Sequence, residues 1–178
     1  FYDYGKVKGN SIDFHNNFGK IRICRLASKY FQRVIESQPN SDDALCNLGF
    51  LHLELGEFDR AIDYLKKAIL INPKSFNALN NLGKVHEEIF LYSDALGYFD
   101  DAISLNPNYA EAYSNRGNTL LRLNRLEDAV ESFNMAISLK SDYAAAYSNR
   151  GNAHKELKQW DSAIANFEKA IELNPDYA

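Results

Sequence analysis

The chain repeats itself every 34 residues, and this period constrains its fold more than any local motif does. Residues 112–118 and 146–152 are identical and lie 34 positions apart. Glycine recurs at the same interval, at Gly49, Gly83, Gly117 and Gly151. A fixed period in this range is typical of solenoids, in which each repeat buries its apolar face by stacking on its neighbours. Such a fold presents one long curved surface without a single catalytic cleft, which favours binding over catalysis.

Each repeat is predicted to be a pair of antiparallel helices. Residues 76–109 carry an apolar stripe at helical spacing in each half: Leu79, Leu82, Gly83 and His86, then Ala95, Leu96, Phe99, Ala102 and Ile103. We expect Gly83 and Ala95 to be small because two helices approach closely there, and Phe99 to fill the remaining volume. Proline, which cannot continue a helix, ends the units. All four prolines take this position: Pro39, Pro73, Pro107 and Pro175.

The period divides the chain into one continuous array. Four regular units are predicted at 42–75, 76–109, 110–143 and 144–177, a degenerate unit at 8–41, and a tail or the remnant of an earlier unit at 1–7. In the degenerate unit His15 stands where glycine is expected, so residues 11–37 can form either a helical hairpin or one long bent helix. The expected fold is an all-α, right-handed superhelical solenoid of antiparallel helix pairs.

These residues resemble the tetratricopeptide repeat (TPR) family over residues 42–177. The matching pattern is an aromatic residue or Leu, then Leu-Gly, a large residue, Ala, Phe, Ala and Pro at fixed offsets. Examples are Leu48, Gly49, Ala61, Leu65, Ala68 and Pro73, and Tyr147, Gly151, Ala163, Phe167, Ala170 and Pro175. The resemblance implies the fold described above and a general protein-interaction scaffold. It does not imply a particular partner, because function belongs to individual sites rather than to the fold.

One column of residues is not explained by the predicted core. The sixth position of every regular unit is asparagine: Asn47, Asn81, Asn115 and Asn149. A carboxamide can pair with both the C=O and the N–H of a peptide backbone. Helices pack about 8–10 Å apart and an extended chain advances about 3.3 Å per residue, so one Asn would meet every third ligand residue. The column predicts non-enzymatic binding of an extended peptide or partner segment in the concave groove.

Further groove residues extend this predicted peptide-binding site. Lys84, Asn118 and Asn152 are expected to contribute contacts, and Glu87, Glu88 and Arg122 lie further along the same stripe. The alternative is structural: each column Asn would bond a carbonyl of the neighbouring helix and set the angle between repeats. Asparagine is a poor residue for the middle of a helix, so one of these roles must favour it.

The asparagine column also resembles the ladder that lines the groove of the TPR superhelix in O-linked N-acetylglucosamine transferases. That resemblance implies an alternative function, as the substrate-presenting region of a larger glycosyltransferase-like enzyme, although the chain has no transferase domain. Other TPR proteins bind acidic C-termini through a clamp of Lys, Asn, Asn, Lys and Arg. Only the central Asn of that clamp matches here in either register, which disfavours that class of partner.

Several other function classes are disfavoured. The chain has no Gly-rich phosphate loop, His-Glu-x-x-His motif or nucleophile elbow, so we expect neither an enzyme nor a cofactor. His52, His86 and His154 share the eleventh repeat position, too far apart to hold one zinc ion at about 2.1 Å. Each is expected to bond locally. The net charge of −4 and the uniform Asn column disfavour nucleic acid, and no apolar run could span a membrane.

The C-terminus, the cysteines and two turns give four more expectations. Residue 178 would begin another repeat and no polar cap precedes it, so either the chain is a segment of a longer protein or its C-terminal face associates with another copy. Cys24 and Cys46 lack metal-binding spacing, which suggests free thiols and a cytoplasmic location. The apolar turn 90–92 is expected to pack against the neighbouring repeat, with contact to a partner as the alternative. Trp160 is expected to pack between helices.

Overall fold

The computed structural model of the chain describes residues 11–175, with side chains from residue 19 onward. This part of the chain forms an all-α solenoid without β-strands, which confirms the predicted fold class. Its helices are α1 Ser11–Ser37, α2 Asp42–Glu54, α3 Phe58–Ile71, α4 Phe76–Glu88, α5 Tyr92–Leu105, α6 Ala110–Arg122, α7 Leu126–Leu139, α8 Ala144–Glu156 and α9 Trp160–Leu173. The predicted tail 1–7 and residue 178 lie outside the described residues.

The turn inside each regular unit bends through a left-handed residue. These residues are Gly56, Phe90, Asn124 and Lys158, with φ between 57° and 71°. Glycine and asparagine tolerate this conformation, whereas it costs a bulky L-residue roughly 1–2 kcal/mol. The turn is closed by backbone bonds such as Leu91 N–H to His86 O, at 2.8 Å. The tertiary contacts of the two helices therefore hold Phe90 and Lys158 in a conformation that neither prefers.

The two helices of a unit touch at a glycine. A Cβ added to Gly83 would lie 2.5 Å from Cε1 of Phe99, which is too close for two carbon atoms. Ala95 and Phe99 are completely buried at this contact. The expected close approach at Gly83 and Ala95, with Phe99 as the filler, is what the structure has.

Arginine side chains on the first helix of a unit form hydrogen bonds to the second helix of their own unit and to the second helix of the preceding unit. Arg116 donates from Nε to Asp100 Oδ1 on α5 and from Nη1 to Ser132 Oγ on α7, both at 2.7 Å. Arg150 repeats this arrangement one unit later, donating to Asn134 at 2.6 Å and to Asn166 at 2.8 Å. Burial lowers the pKa of Arg150. The arginines belong to the identical segments 112–118 and 146–152, so their repetition was the available sequence signal for this bridge.

Residues 11–37 form one continuous helix, which settles the choice left open by the sequence. Helix α1 packs against α2, and Lys20 Nζ lies 2.5 Å from Glu54 Oε2 across that contact. Its sequence has the pattern found in the second helix of a regular unit, but Phe31 and Val34 are only half-buried. The corresponding Phe99 and Ala102 are completely buried, because they face the first helix of their own unit.

Two packing expectations are wrong. Phe90 is 75% exposed and Leu91 is also exposed, so the turn 90–92 does not pack against the neighbouring repeat, apart from the half-buried Tyr92. Trp160 is 58% exposed instead of packed between helices. Its counterparts one, two and three units earlier are half-buried: Leu126, Tyr92 and Phe58. Each of those is followed by another helix pair, whereas no helix follows α9 within the described residues.

Candidate functional site

The four column asparagines lie on the first helices of the regular units, α2, α4, α6 and α8. Asn47 is exposed, and Asn81, Asn115 and Asn149 are half-buried. None is sealed inside the stack, so each retains access to a ligand. The burial difference follows position, because the three half-buried residues each have a preceding regular unit beside them.

Two of these asparagines also bond to the preceding unit. Asn81 Nδ2 lies 3.7 Å from Cys46 Sγ, and Asn115 Nδ2 donates to Asn80 Oδ1 at 3.0 Å. Both acceptors occupy the fifth position of their unit and both are buried. Asn115 therefore makes the bond to a carbonyl of the neighbouring helix that the structural alternative requires, through the side-chain amide of Asn80, whereas Asn81 reaches a thiol.

The predicted site residues line two adjoining cavities. The first, of about 360 Å³, is lined by Lys84, Glu87, Glu88, Phe90, Tyr92, Asn115, Asn118 and Arg122. The second, of about 490 Å³, is lined by Glu87, Asn118, Leu121, Arg122, Asn124, Leu126, Asn149, Asn152 and Glu156. We call these two cavities together the central groove. They share Glu87, Asn118 and Arg122, so the groove is continuous across α4, α6 and α8.

The structure brings five of the seven predicted residues into the central groove: Lys84, Asn115, Asn118, Asn149 and Asn152. Asn47 and Asn81 line neither cavity. Phe90, Tyr92, Asn124 and Leu126 also line the groove. For the turn that holds Phe90 and Tyr92 the sequence left contact with a partner open beside packing, whereas Asn124 and Leu126 were not indicated as groove residues. A bulky residue in a turn that requires φ above zero was the signal available for Phe90.

Charged side chains of both signs face the central groove. Burial, followed by repulsion from Glu88, raises the pKa of Glu87 from 4.5 to about 7. Arg122, Lys84 and a hydrogen bond from Thr119 act in the opposite direction. Lys84 Nζ also lies 5.1 Å from the ring centroid of Phe50, a distance at which a cation is attracted to the ring face. Near neutral pH the groove therefore holds a carboxyl that is partly protonated.

We expect the raised pKa of Glu87 to make stability fall as pH rises. The folded state favours the neutral acid, so its stabilising contribution is complete below pH 4.5 and is lost as pH approaches 7. Glu87→Gln, which stays neutral, should match the wild type near pH 4.5 and exceed its free energy of unfolding above pH 7. Urea unfolding at both pH values measures this. A constant difference between the two proteins would contradict the assignment.

The repeated histidines bond locally, as predicted. His52 Nδ1 lies 2.8 Å from Glu57 Oε2, His86 Nδ1 donates to Leu82 O at 2.9 Å, and His154 Nδ1 lies 2.6 Å from Gln159 Oε1. The rings of His52 and Tyr64 stack with centroids 5.2 Å apart. In the described part of the chain, His, Cys, Asp and Glu side chains form no group of three or more that could hold a metal ion.

The two cysteines lie in the packed interior. Cys24 and Cys46 are free and buried, and burial raises the pKa of the Cys46 thiol to about 11. Cys46 is therefore a packing residue and not a reactive thiolate.

Within residues 11–175, none of the helices combines the length and the apolar character needed to cross a lipid bilayer.

Family comparison identifies the repeats directly. Profiles described as tetratricopeptide repeat match residues 42–75 and 144–177 and residues 98–131, and one described as TPR repeat matches residues 117–158. Together they cover more than half of the chain. No curated protein matches it in sequence.

Solved structures of similar fold span nearly the whole chain. A crystal structure of MamA is 26% identical and covers 96% of this chain and 98% of its own, with a TM-score of 0.73. TTC0263, a thermophilic TPR protein of Thermus thermophilus, is 22% identical and covers 90% and 93%, with a TM-score of 0.77. YrrB, described as a TPR protein with an unusual peptide-binding site, is 23% identical and covers 93% and 86%, with a TM-score of 0.67. The chain belongs to the tetratricopeptide repeat family and is a protein–protein interaction scaffold.

Proposed function

We propose that the central groove binds an extended peptide segment of a partner protein and performs no chemistry on it. The observation that carries this proposal is that five residues predicted from the repeat pattern line two adjoining cavities. Cavities of this size lie in the range that ligand sites occupy. YrrB, which shares this fold, is described as having an unusual peptide-binding site.

The recognition would come chiefly from carboxamides that are free to turn toward a ligand. The side-chain amides of Asn118, Asn149 and Asn152 form no hydrogen bond to another described residue, unlike those of Asn81 and Asn115. Each can offer donors and an acceptor to a peptide backbone, which tolerates any ligand side chain. Lys84, Arg122 and the exposed ring of Phe90 lie in the same cavity and would select the side chains of the ligand.

The test uses peptides selected from a displayed library of extended segments about ten residues long. We expect Asn118→Ala combined with Asn152→Ala to weaken a selected peptide by about 10- to 100-fold. Each lost hydrogen bond contributes roughly 0.5–1.5 kcal/mol, and about 1.4 kcal/mol is tenfold in affinity. The melting temperature should stay nearly unchanged, because neither side chain forms a hydrogen bond to another described residue. Fluorescence anisotropy and thermal denaturation measure the two effects.

Asn81→Ala is the matched control. It removes the bond to Cys46 at a residue that lines neither cavity, so the free energy of unfolding should fall while the peptide affinity stays nearly unchanged. If Asn81→Ala abolished binding while the Asn118 and Asn152 pair left it unchanged, the asparagines would act on the angle between repeats. The proposed groove contacts would then be wrong.

A further inference from the structure

Helix α1 presents three apolar side chains that the described part of the chain leaves exposed. Ile23 and Leu26 are each 70% exposed and Tyr30 is 65% exposed. They follow one another at spacings of three and four residues, so they form a single stripe on the helix. The side of α1 that packs on the array is different, because it carries the buried Cys24 and Ser28.

A basic stripe runs beside this apolar stripe. Between residues 19 and 35, α1 contains no acidic residue, although the whole chain has a net charge of −4. The exposed cations of the stripe are Arg22, Arg25, Lys29 and Arg33. The first helix therefore combines exposed apolar groups with a charge opposite to that of the rest of the molecule.

Helix α9, the last helix of the described residues, carries the complementary features. Trp160, Ile164 and Ile171 are 58%, 56% and 44% exposed. Residues at the position of Ile164 in earlier units are half-buried: Ile62, Leu96 and Val130. Acidic residues flank this stripe at Asp161, Glu168 and Glu172. Its one cation, Lys169, lies 2.9 Å from Glu172.

The order of the stripes around each helix also matches. With 3.6 residues per turn, the basic stripe of α1 lies on one side of its apolar stripe and the acidic stripe of α9 lies on the opposite side of its own. When two such helices pack face to face and parallel, both charged stripes fall on the same side of the contact. Basic residues of α1 would then lie next to acidic residues of α9.

We propose that copies of this chain associate head to tail, with α9 of one molecule packed parallel along α1 of the next. Helix α1 is a poor partner for another α1, because an antiparallel contact would bring the two basic stripes together and a parallel contact would leave each basic stripe without an acidic neighbour. The same argument holds for two acidic α9 helices. The contact is therefore heterologous and leaves one free α1 and one free α9, so assembly continues into an open chain or closes into a ring.

The test is a complementation experiment by sedimentation velocity on the whole chain. The wild type should show sedimentation coefficients that rise with protein concentration and fall with added salt. Leu26→Glu, which damages the α1 face, and Ile164→Lys, which damages the α9 face, should each weaken association at least about 10-fold. An equimolar mixture of the two variants should form a 1:1 complex that grows no further, because each supplies the face that the other lacks.

Controls separate this contact from general hydrophobicity and from loss of fold. Leu70→Glu changes a leucine that is 83% exposed on α3 and should leave association unchanged. Circular dichroism of each variant should retain the wild-type helix content and melting temperature, since all three positions are exposed.

Four results would overturn the proposal. If Leu26→Glu alone prevented association, α1 would pair with itself, and if only Ile164→Lys did so, α9 would pair with itself. A mixture that stayed monomeric would exclude the heterologous contact. A wild type that remained monomeric while binding vesicles rich in phosphatidylserine would assign α1 to an anionic membrane surface instead.

Discussion

Replacing Phe99 with alanine is expected to lower the free energy of unfolding by about 3–5 kcal/mol. The ring is completely buried between α4 and α5, and its edge rests against Gly83. The glycine has no side chain that could move into the cavity. The free energy lost with the contacts of the ring and the free-energy cost of the cavity therefore add together. Urea denaturation followed by circular dichroism measures the change, with the slope of the transition reporting whether the unfolded state also changed.

Phe90→Ala is the matched control for Phe99→Ala. It removes the same ring from the same unit, but Phe90 is 75% exposed and its left-handed backbone costs alanine as much as phenylalanine. We expect a change of no more than about 0.5 kcal/mol, as for other surface substitutions. Equal losses in the two variants would contradict the view that the ring of Phe99 holds the helix pair together.

Gly117→Ala is expected to destabilise the protein by about 1–3 kcal/mol, although alanine ordinarily stabilises a helix. The added Cβ would lie 2.7 Å from Cε1 of Phe133. Phe133 is completely buried, so its ring cannot move away without displacing α7 from α6. The effect should be smaller than that of Phe99→Ala because the two helices can shift slightly. The same urea titration measures it.

Gly97→Ala should change stability in the opposite direction. Gly97 lies in the middle of α5, is exposed, and a Cβ there would meet nothing within 4 Å. Only the helix preference of alanine then acts, so the free energy of unfolding should rise by about 0.5–1 kcal/mol. If both glycine variants were destabilised alike, close packing would not be the reason for glycine at position 117.

Contacts inside a unit could be predicted from the sequence because they join residues at fixed short separations on two consecutive helices. Gly83, Ala95 and Phe99 meet as expected, and the histidine side chains bond within their own units. The same locality explains why the 34-residue period was sufficient to predict helix pairs. The sequence also placed five groove residues on one surface, since that surface repeats with the unit.

Contacts between units could not be predicted from the sequence, because the rotation from one unit to the next is a sum of many small packing effects. That rotation brings Asn115 to Asn80 and Arg116 to Asp100. Phe90 lines the central groove, where the sequence had favoured packing over contact with a partner. What the sequence alone determined was the repeating unit and its core. The relative placement of the units, which creates the groove and exposes the faces of α1 and α9, was decided only by their packing in three dimensions.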